Sequence, residues 1–598
     1  MLPQSLDLAT LAAAYRQGLK PSTLFAHLHA RARADDHHAW ISLLPEAELL
    51  TRARALDEQD PASLPLYGIP FAIKDNIDLA GLPTTAGCPD FAYLPTADAR
   101  VVARLIAAGA VPLGKTNLDQ FATGLNGTRS PYGACRNAID PAFISGGSSS
   151  GSAVAVAAAQ VTFSLGTDTA GSGRVPAAFN NLVGLKPTCG LLSSTGLVPA
   201  CRSIDTISIF ALNAADAAAV FCVARGFDEA DAYSRPVEAH GRRFPAGEPF
   251  RFGVPRPAQL SYFGDPHNAV LFEAAVARLT TLGGTPVEVD FSPFLDTARL
   301  LYGGPWVAER YHAIKDFIEA QPDSVFPVTR EITLGGARAS AVEAFDAQYR
   351  LKALKRRCDA VWQDVDLILT PTAGYHPTIA AVEADPIRIN TDLGYYTNFM
   401  NLLDYSAVAV PAAIRPDGLP FGITLFAPAH QDLPLLELAD RWQADTRLPA
   451  GATGQVLAAA PVIPEPADNG MVRVAVCGAH LSGLPLNSQL TQRGARLIGA
   501  VRSAPEYRFY ALAGGPPLRP GMVRVADGGG SVDMEIWELP TRHFGSFVAG
   551  IPAPLGIGKV KLEDGSQVCG FICESGGLAG AEDITAIGSW RAWLASRA

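Results

Sequence analysis

Two loops of small residues, SGGSSSG at 145–151 and TAGSGR at 169–174, bracket an Ala-rich helical stretch (SAVAVAAAQ) and an apolar strand (VTFSLGTD). This ordering constrains the fold more than any other feature of the chain. Upstream, ARVVARLIAAG reads as a helix stopped by Gly109, and AVPLGKTN as a strand ending in a turn. Strands alternating with helices over several hundred residues predict an α/β domain with a largely parallel sheet covered by helices. A flexible linker is a poor reading of SGGSSSG, because it sits between strand and helix in the densest α/β region. It reads instead as a tight loop presenting serines at a helix N-terminus, where unpaired amides and the positive dipole end favour developing anions.

The chain has 598 residues, too many for one ordinary core, so more than one domain is expected. An apolar fraction of 48% with 18% charged residues excludes disorder as the main state. Residues 1 to about 60 read as helical, and ELADRWQADTR as the last helix of the α/β part. AAAPVIPEPADNG is Pro-rich and aperiodic, a linker. Beyond it, MVRVAVCG, YRFYALAGG and VKLEDGSQVCGFIC are short alternating strands with Gly/Asp turns. The expected organisation is a first domain at 1–455, a linker at 456–470 and a smaller α+β domain at 471–598.

The net charge of −10 comes with no Lys/Arg-rich arm, so nucleic acid is not an expected partner. No apolar run approaches the ~20 residues of a membrane span. The N-terminal residues lack the basic start and apolar core of a signal peptide, and the nine scattered Cys read as reduced thiols, so a cytoplasmic location is expected. There is no CxxC pair and no HExxH, so no metal site is expected.

Three stretches carry candidate chemistry. Gly109 to Thr116 fits the phosphate-binding GxxxxGKT string, but a helix precedes its first glycine, AVPL is itself the strand, and Pro112 removes an amide donor. The string is a decoy. In DTAGSGRVP, Ser172 lies between Gly171 and Gly173, and consecutive amides of a Gly-rich turn can hold an oxyanion. Lys74 ends an apolar run; burial there would lower its pKa and leave a neutral amine able to accept a proton.

Together these residues resemble the amidase signature family. FAIKDN holds its strand-end lysine, GGSSSG and DTAGSGRVPAAFNNLVGLKPT match its signature stretch, and GAVPLGKTN another recurring segment. The resemblance covers roughly residues 1–450. It implies the amidase signature fold, with Ser172 as nucleophile, Ser148 as a bridging serine on a cis peptide bond, and Lys74 as base. It also places the oxyanion hole at the amides of Thr169, Ala170, Gly171 and Ser172. Such a Ser–Ser–Lys centre transfers acyl groups from C–N bonds without metal or organic cofactor. With 11 His in the chain a Ser-His-Asp triad stays open in principle, but no His lies near either serine loop in sequence and no GxSxG elbow is present.

LYGGPWVAERY at 301–311 is similar to a stretch of the allophanate hydrolases within that family. The likeness implies that Tyr302 and Arg310 hold a substrate carboxylate, assisted by a backbone group at Gly124; a planar guanidinium suits a carboxylate bidentately. The C-terminal part looks like the appendage of those enzymes and resembles the γ-glutamyl cyclotransferase-like fold, with His480 its most suggestive residue. The family likeness implies a small carboxylated amide as substrate and a homodimer as assembly. Rival readings are an amidase of another small amide, the amidase component of a tRNA-dependent amidotransferase, or an inactive binding module for small carboxylates.

Overall fold

A computed structural model describes residues 3–237, 244, 246, 249–457 and 470–597. The chain divides into two compact units, one holding the described residues up to 457 and the other those from 470 onward. Most of the linker expected at 456–470 lies outside the described residues.

The first unit is built on an eleven-stranded sheet. In chain order its strands are β1 (Trp40–Leu43), β2 (Pro70–Lys74), β3 (Val111–Thr116), β4 (Phe163–Asp168), β5 (Val183–Lys186), β6 (Thr206–Ala211), β7 (Phe250–Pro255), β8 (Gly284–Val289), β9 (Leu367–Pro371), β10 (Tyr405–Ile414) and β11 (Pro420–Pro428). Their spatial order is β1-β3-β2-β4-β6-β5-β10-β11-β9-β7-β8.

The sheet is mixed, but less parallel than the sequence led us to expect. Four pairings are parallel (β2 with β3 and β4, β7 with β8 and β9). Six are antiparallel. The connections explain this. Helices Arg100–Ala107 and Pro266–Thr281 supply crossovers that parallel neighbours need, whereas β10 and β11 are joined by a short turn carrying Pro416, Asp417 and Gly418.

The central strands are buried along their whole length, so they read as continuous apolar runs rather than alternating ones. Phe71, Phe163, Leu165, Ile209 and Ile423 belong to one core cluster. The N-terminal region carries the expected helices Leu8–Arg16, Pro21–Arg33 and Glu46–Asp57, but also β1, which the helical pattern had concealed.

The second unit holds a five-stranded sheet made of β12 (Met471–Val476), β13 (Arg496–Arg502), β16 (Asp533–Pro540), β17 (Leu555–Lys561) and β18 (Gln567–Cys573). A three-stranded sheet combines β14 (Tyr507–Ala511), β15 (Pro520–Arg524) and β19 (Glu582–Asp583). Its core gathers Val474, Phe509, Trp537, Leu539 and Trp590. No helix among the described residues is long and apolar enough to cross a membrane.

Candidate active site

Strands β3, β2 and β4 lie side by side and run the same way, so their carboxyl ends open onto one place. Crevices at such ends are where α/β sheets bind ligands. Lys74 is the last residue of β2, and Thr167 and Asp168 close β4. The segment following β3 leads to Asp119 and Gly124. The glycine-serine loop enters from the start of the helix Ser150–Ala157.

Lys74 Nζ donates to Ser148 Oγ at 2.8 Å and to Thr167 Oγ1 at 2.7 Å. Ser148 Oγ donates to Ser172 Oγ at 2.9 Å. All four side chains are buried. The Gly147–Ser148 peptide bond is cis. Ser149 fixes the loop against β4, its hydroxyl donating to the Thr167 carbonyl at 3.0 Å and accepting the Thr167 amide at 3.1 Å. Gly147 is required for close approach: a Cβ there would stand 2.2 Å from Asp119 Oδ2.

Burial pushes the Lys74 amine down to about 7. The carboxylates of Asp119, Asp205 and Asp168 pull the other way, and Arg310 adds to the depression. A neutral amine exists only above that pKa, so activity that uses Lys74 as a base should be lost as pH falls through about 7 and reach a plateau above it. A pH profile of kcat/KM checks this; a rate unchanged down to pH 5 would contradict the assignment.

The second loop is organised by one carboxylate. Asp168 accepts the amides of Gly171 at 3.0 Å and Gly173 at 2.9 Å, and both Nε and the second terminal nitrogen of Arg174 at 2.9 Å. Burial alone would raise its pKa, but Arg174, with help from Lys186 and the Gly173 amide, holds the carboxyl below the usual range. Gly171 has φ +140°, and a Cβ would meet Thr397 Oγ1 at 2.4 Å, so no other residue fits. Its amide is committed to Asp168, which amends the oxyanion-hole expectation for this residue: Gly171 bends the loop. Among the described residues, the amides of Thr169, Ala170 and Ser172 have no acceptor.

The residues expected to meet a carboxylate gather around the 122–124 segment. Ser172 Oγ is 3.5 Å from the Gly124 carbonyl. Arg310, on the helix Trp306–Ala320, donates to the Ala122 carbonyl at 3.2 Å and to Thr123 Oγ1 at 3.0 Å. Its guanidinium lies 5.5 Å from the ring centre of Tyr302. Arg310 is 3% exposed, its second terminal nitrogen has no hydrogen-bond partner, and no carboxylate forms an ion pair with it among the described residues. A buried, half-satisfied guanidinium is costly unless an anion completes it.

The decoy string lies on β3. Lys115 is fully buried and paired with Asp75 at 3.1 Å, so it has no reach toward a phosphate. His480 lies in the second unit: its Nε2 is 3.1 Å from Gln489 Oε1, its ring stacks on Phe571, and burial lowers its pKa. It lines a cavity of about 400 Å³ together with Arg519 and Phe571. Among the described residues no cluster of His, Cys, Asp or Glu is placed to hold a metal ion.

Sequence reasoning missed Thr167, Thr123 and the Asp168–Arg174 pair as parts of the site. The signal for Thr167 was present, since it lies one residue before the end of a strand beside the one that Lys74 ends. Nothing local marks Thr123, whose role depends on a helix far along the chain.

Fold and site define an amidase, and the chain belongs to the amidase family, whose model (Amidase) matches residues 23–436. A second model, the allophanate hydrolase C-terminal domain, matches residues 472–595. The urea amidolyase of Saccharomyces cerevisiae is 44% identical over 576 residues, covering 93% of this chain but only 31% of that relative's length. The solved structure of Kluyveromyces lactis allophanate hydrolase superimposes with a TM-score of 0.83 at 40% identity, covering 98% of each chain. A glutamyl-tRNA(Gln) amidotransferase protein of Chloroflexus aggregans is 36% identical over 444 residues, covering 68% of this chain and 88% of that protein.

Proposed function

We propose that the chain is an allophanate hydrolase, with residues 1–455 as its amidase domain, 456–470 as a linker and 471–598 as the appended domain. The single observation that carries this reading is the unbroken hydrogen-bonded line Lys74–Ser148–Ser172, ending one residue from the segment that Arg310 holds. The substrate, a urea carboxylated on one of its two nitrogens, presents its carboxylate to Arg310 and Tyr302 and its terminal amide carbonyl to Ser172.

Ser172 attacks that carbonyl as its hydroxyl turns to give its proton to Ser148, and the Ser148 hydroxyl turns from Ser172 to give its own proton to neutral Lys74. The amides of Thr169, Ala170 and Ser172 receive the oxyanion. The relay then runs backward and protonates the departing nitrogen, which leaves as ammonia. Water, deprotonated through the same relay, releases N-carboxycarbamate from Ser172, and that product breaks down to carbon dioxide and ammonia. None of these steps calls for a metal or an organic cofactor. Ammonia release from allophanate, malonamate and urea tests the reading: activity on allophanate is expected, and strong activity on urea with none on allophanate would overturn it.

The amidotransferase reading is disfavoured, because that likeness covers only 68% of this chain while residues 472–595 match an allophanate hydrolase domain. We place the protein in the cytoplasm and read it as a homodimer. The exposed face of the helix Ala341–Asp359 favours the second point: Val342, Phe345 and Tyr349 are 79%, 55% and 69% exposed. An antiparallel pairing of two copies about Tyr349 would set Asp346 against Lys352 of the other copy. Sedimentation of the intact chain as a dimer, reduced to a monomer by Phe345→Glu, is the expected result.

A further inference from the structure

The segment from Ala200 to Asp205 touches both halves of the site. Toward the oxyanion loop, Asp205 accepts the hydroxyl of Thr169. The same carboxylate accepts the amides of Ala200 at 2.7 Å and Cys201 at 3.0 Å, which closes the segment on itself. Asn401 strengthens the join by donating to the carbonyls of Asp168 at 2.8 Å and Ile204 at 2.9 Å. Toward the carboxylate-binding side, Cys201 Sγ donates to the carbonyl of Trp306 at 3.4 Å. Ser203 donates its amide and hydroxyl to Glu309 at 3.2 and 2.6 Å. Trp306 and Glu309 belong to the helix that carries Arg310. The segment is thus a strut between the loop that holds the oxyanion donors and the helix that holds the guanidinium.

We propose that Asp205 is a positioning residue for the acyl-transfer centre, fixing the oxyanion loop through Thr169 and setting its distance from the Arg310 helix through the 200–205 segment. The proposal rests on the reading of Ser172 as nucleophile and Lys74 as base. Asp205 does not touch the reacting atoms. Its charge nevertheless acts on the groups that do: it is one of three carboxylates, with Asp119 and Asp168, that favour the ammonium form of Lys74 against desolvation and Arg310. Desolvation pushes Asp205 itself up to about 6, against the pull of Thr169, the two amides and Arg310. Its influence on the Lys74 titration can be removed by substitution.

Asp205→Asn keeps an acceptor for the two amides and removes the charge. The rate at which a fluorophosphonate labels Ser172 is measured against pH, since that reaction needs nucleophile, base and oxyanion donors but no substrate carboxylate. The limiting rate is expected to fall about 10- to 100-fold, the cost of a small misplacement. The acid limb is expected to move to lower pH by about half a unit, because an anion that favoured the protonated lysine is gone. With allophanate, kcat should fall in step while KM stays within about 2-fold.

Asp205→Glu should return the limb toward its original position without restoring the limiting rate. Thr169→Val should lower the limiting rate and leave the limb in place. It serves as the deciding variant should Asp205→Asn fail to fold. Wild-type rate and an unmoved limb in Asp205→Asn, or a wild-type rate in Thr169→Val, would overturn the proposal alone. Absence of labelling in the wild type would overturn the Ser172 reading and this one with it.

Discussion

Ser172→Ala is expected to lower ammonia release by about 10⁶-fold while leaving the fold intact, because the side chain that forms the acyl intermediate is removed and the groups around it cannot replace it. Lys74 and Ser148 then have nothing to activate. Any residual rate comes from binding and from the oxyanion donors acting on water. Lys74→Met should approach the same floor, since the two losses belong to one unit and do not add. The check is steady-state ammonia release together with fluorophosphonate labelling of the intact protein. Labelling that survives Ser172→Ala would place the nucleophile elsewhere. The fold should tolerate this change, because Ser172 Oγ serves no loop contact beyond Ser148 and the distant Gly124 carbonyl.

Arg310→Lys is expected to cost roughly 10²–10³-fold in kcat/KM for the carboxylated substrate and far less for an uncharged amide of similar size. The substitution keeps the charge but loses the planar pair of donors. Arg310 spends one terminal nitrogen on the 122–123 segment and leaves the other without a partner in a buried setting. Truncating one partner of such a buried charge pair costs about 2–5 kcal/mol. Lys can occupy one of these roles but not both. The measurement is the ratio of kcat/KM for malonamate and for a neutral analogue in wild type and variant. An equal loss on both would mean that Arg310 supports the loop rather than the substrate.

Much of the site could be read from the sequence because it is local. Lys74 ends a strand that is apolar throughout, and Ser148 and Ser172 lie in loops whose glycines are forced by close approach, as at Gly147, or by backbone conformation, as at Gly171. Chemistry and backbone requirement coincide there, and the residue types display both. Interactions made across the fold were not legible. Asp205 and Thr123 look like ordinary loop residues until the chain brings Thr169 and Arg310 to them. The amide of Gly171 was misjudged because the competing acceptor, Asp168, is recruited by Arg174 only once the loop has turned. The sheet was expected to be more parallel than it is, since short connections such as the one between β10 and β11 carry less periodic signal than the crossover helices.

The amine of Lys74 is wholly covered, and the hydroxyls of Ser148 and Thr167 occupy the directions in which it donates. A proton on that amine therefore lies against the two hydroxyls and away from solvent. In the proposed relay protons pass between covered groups, so buffer identity and concentration should leave turnover untouched even where the acidity of the medium governs it.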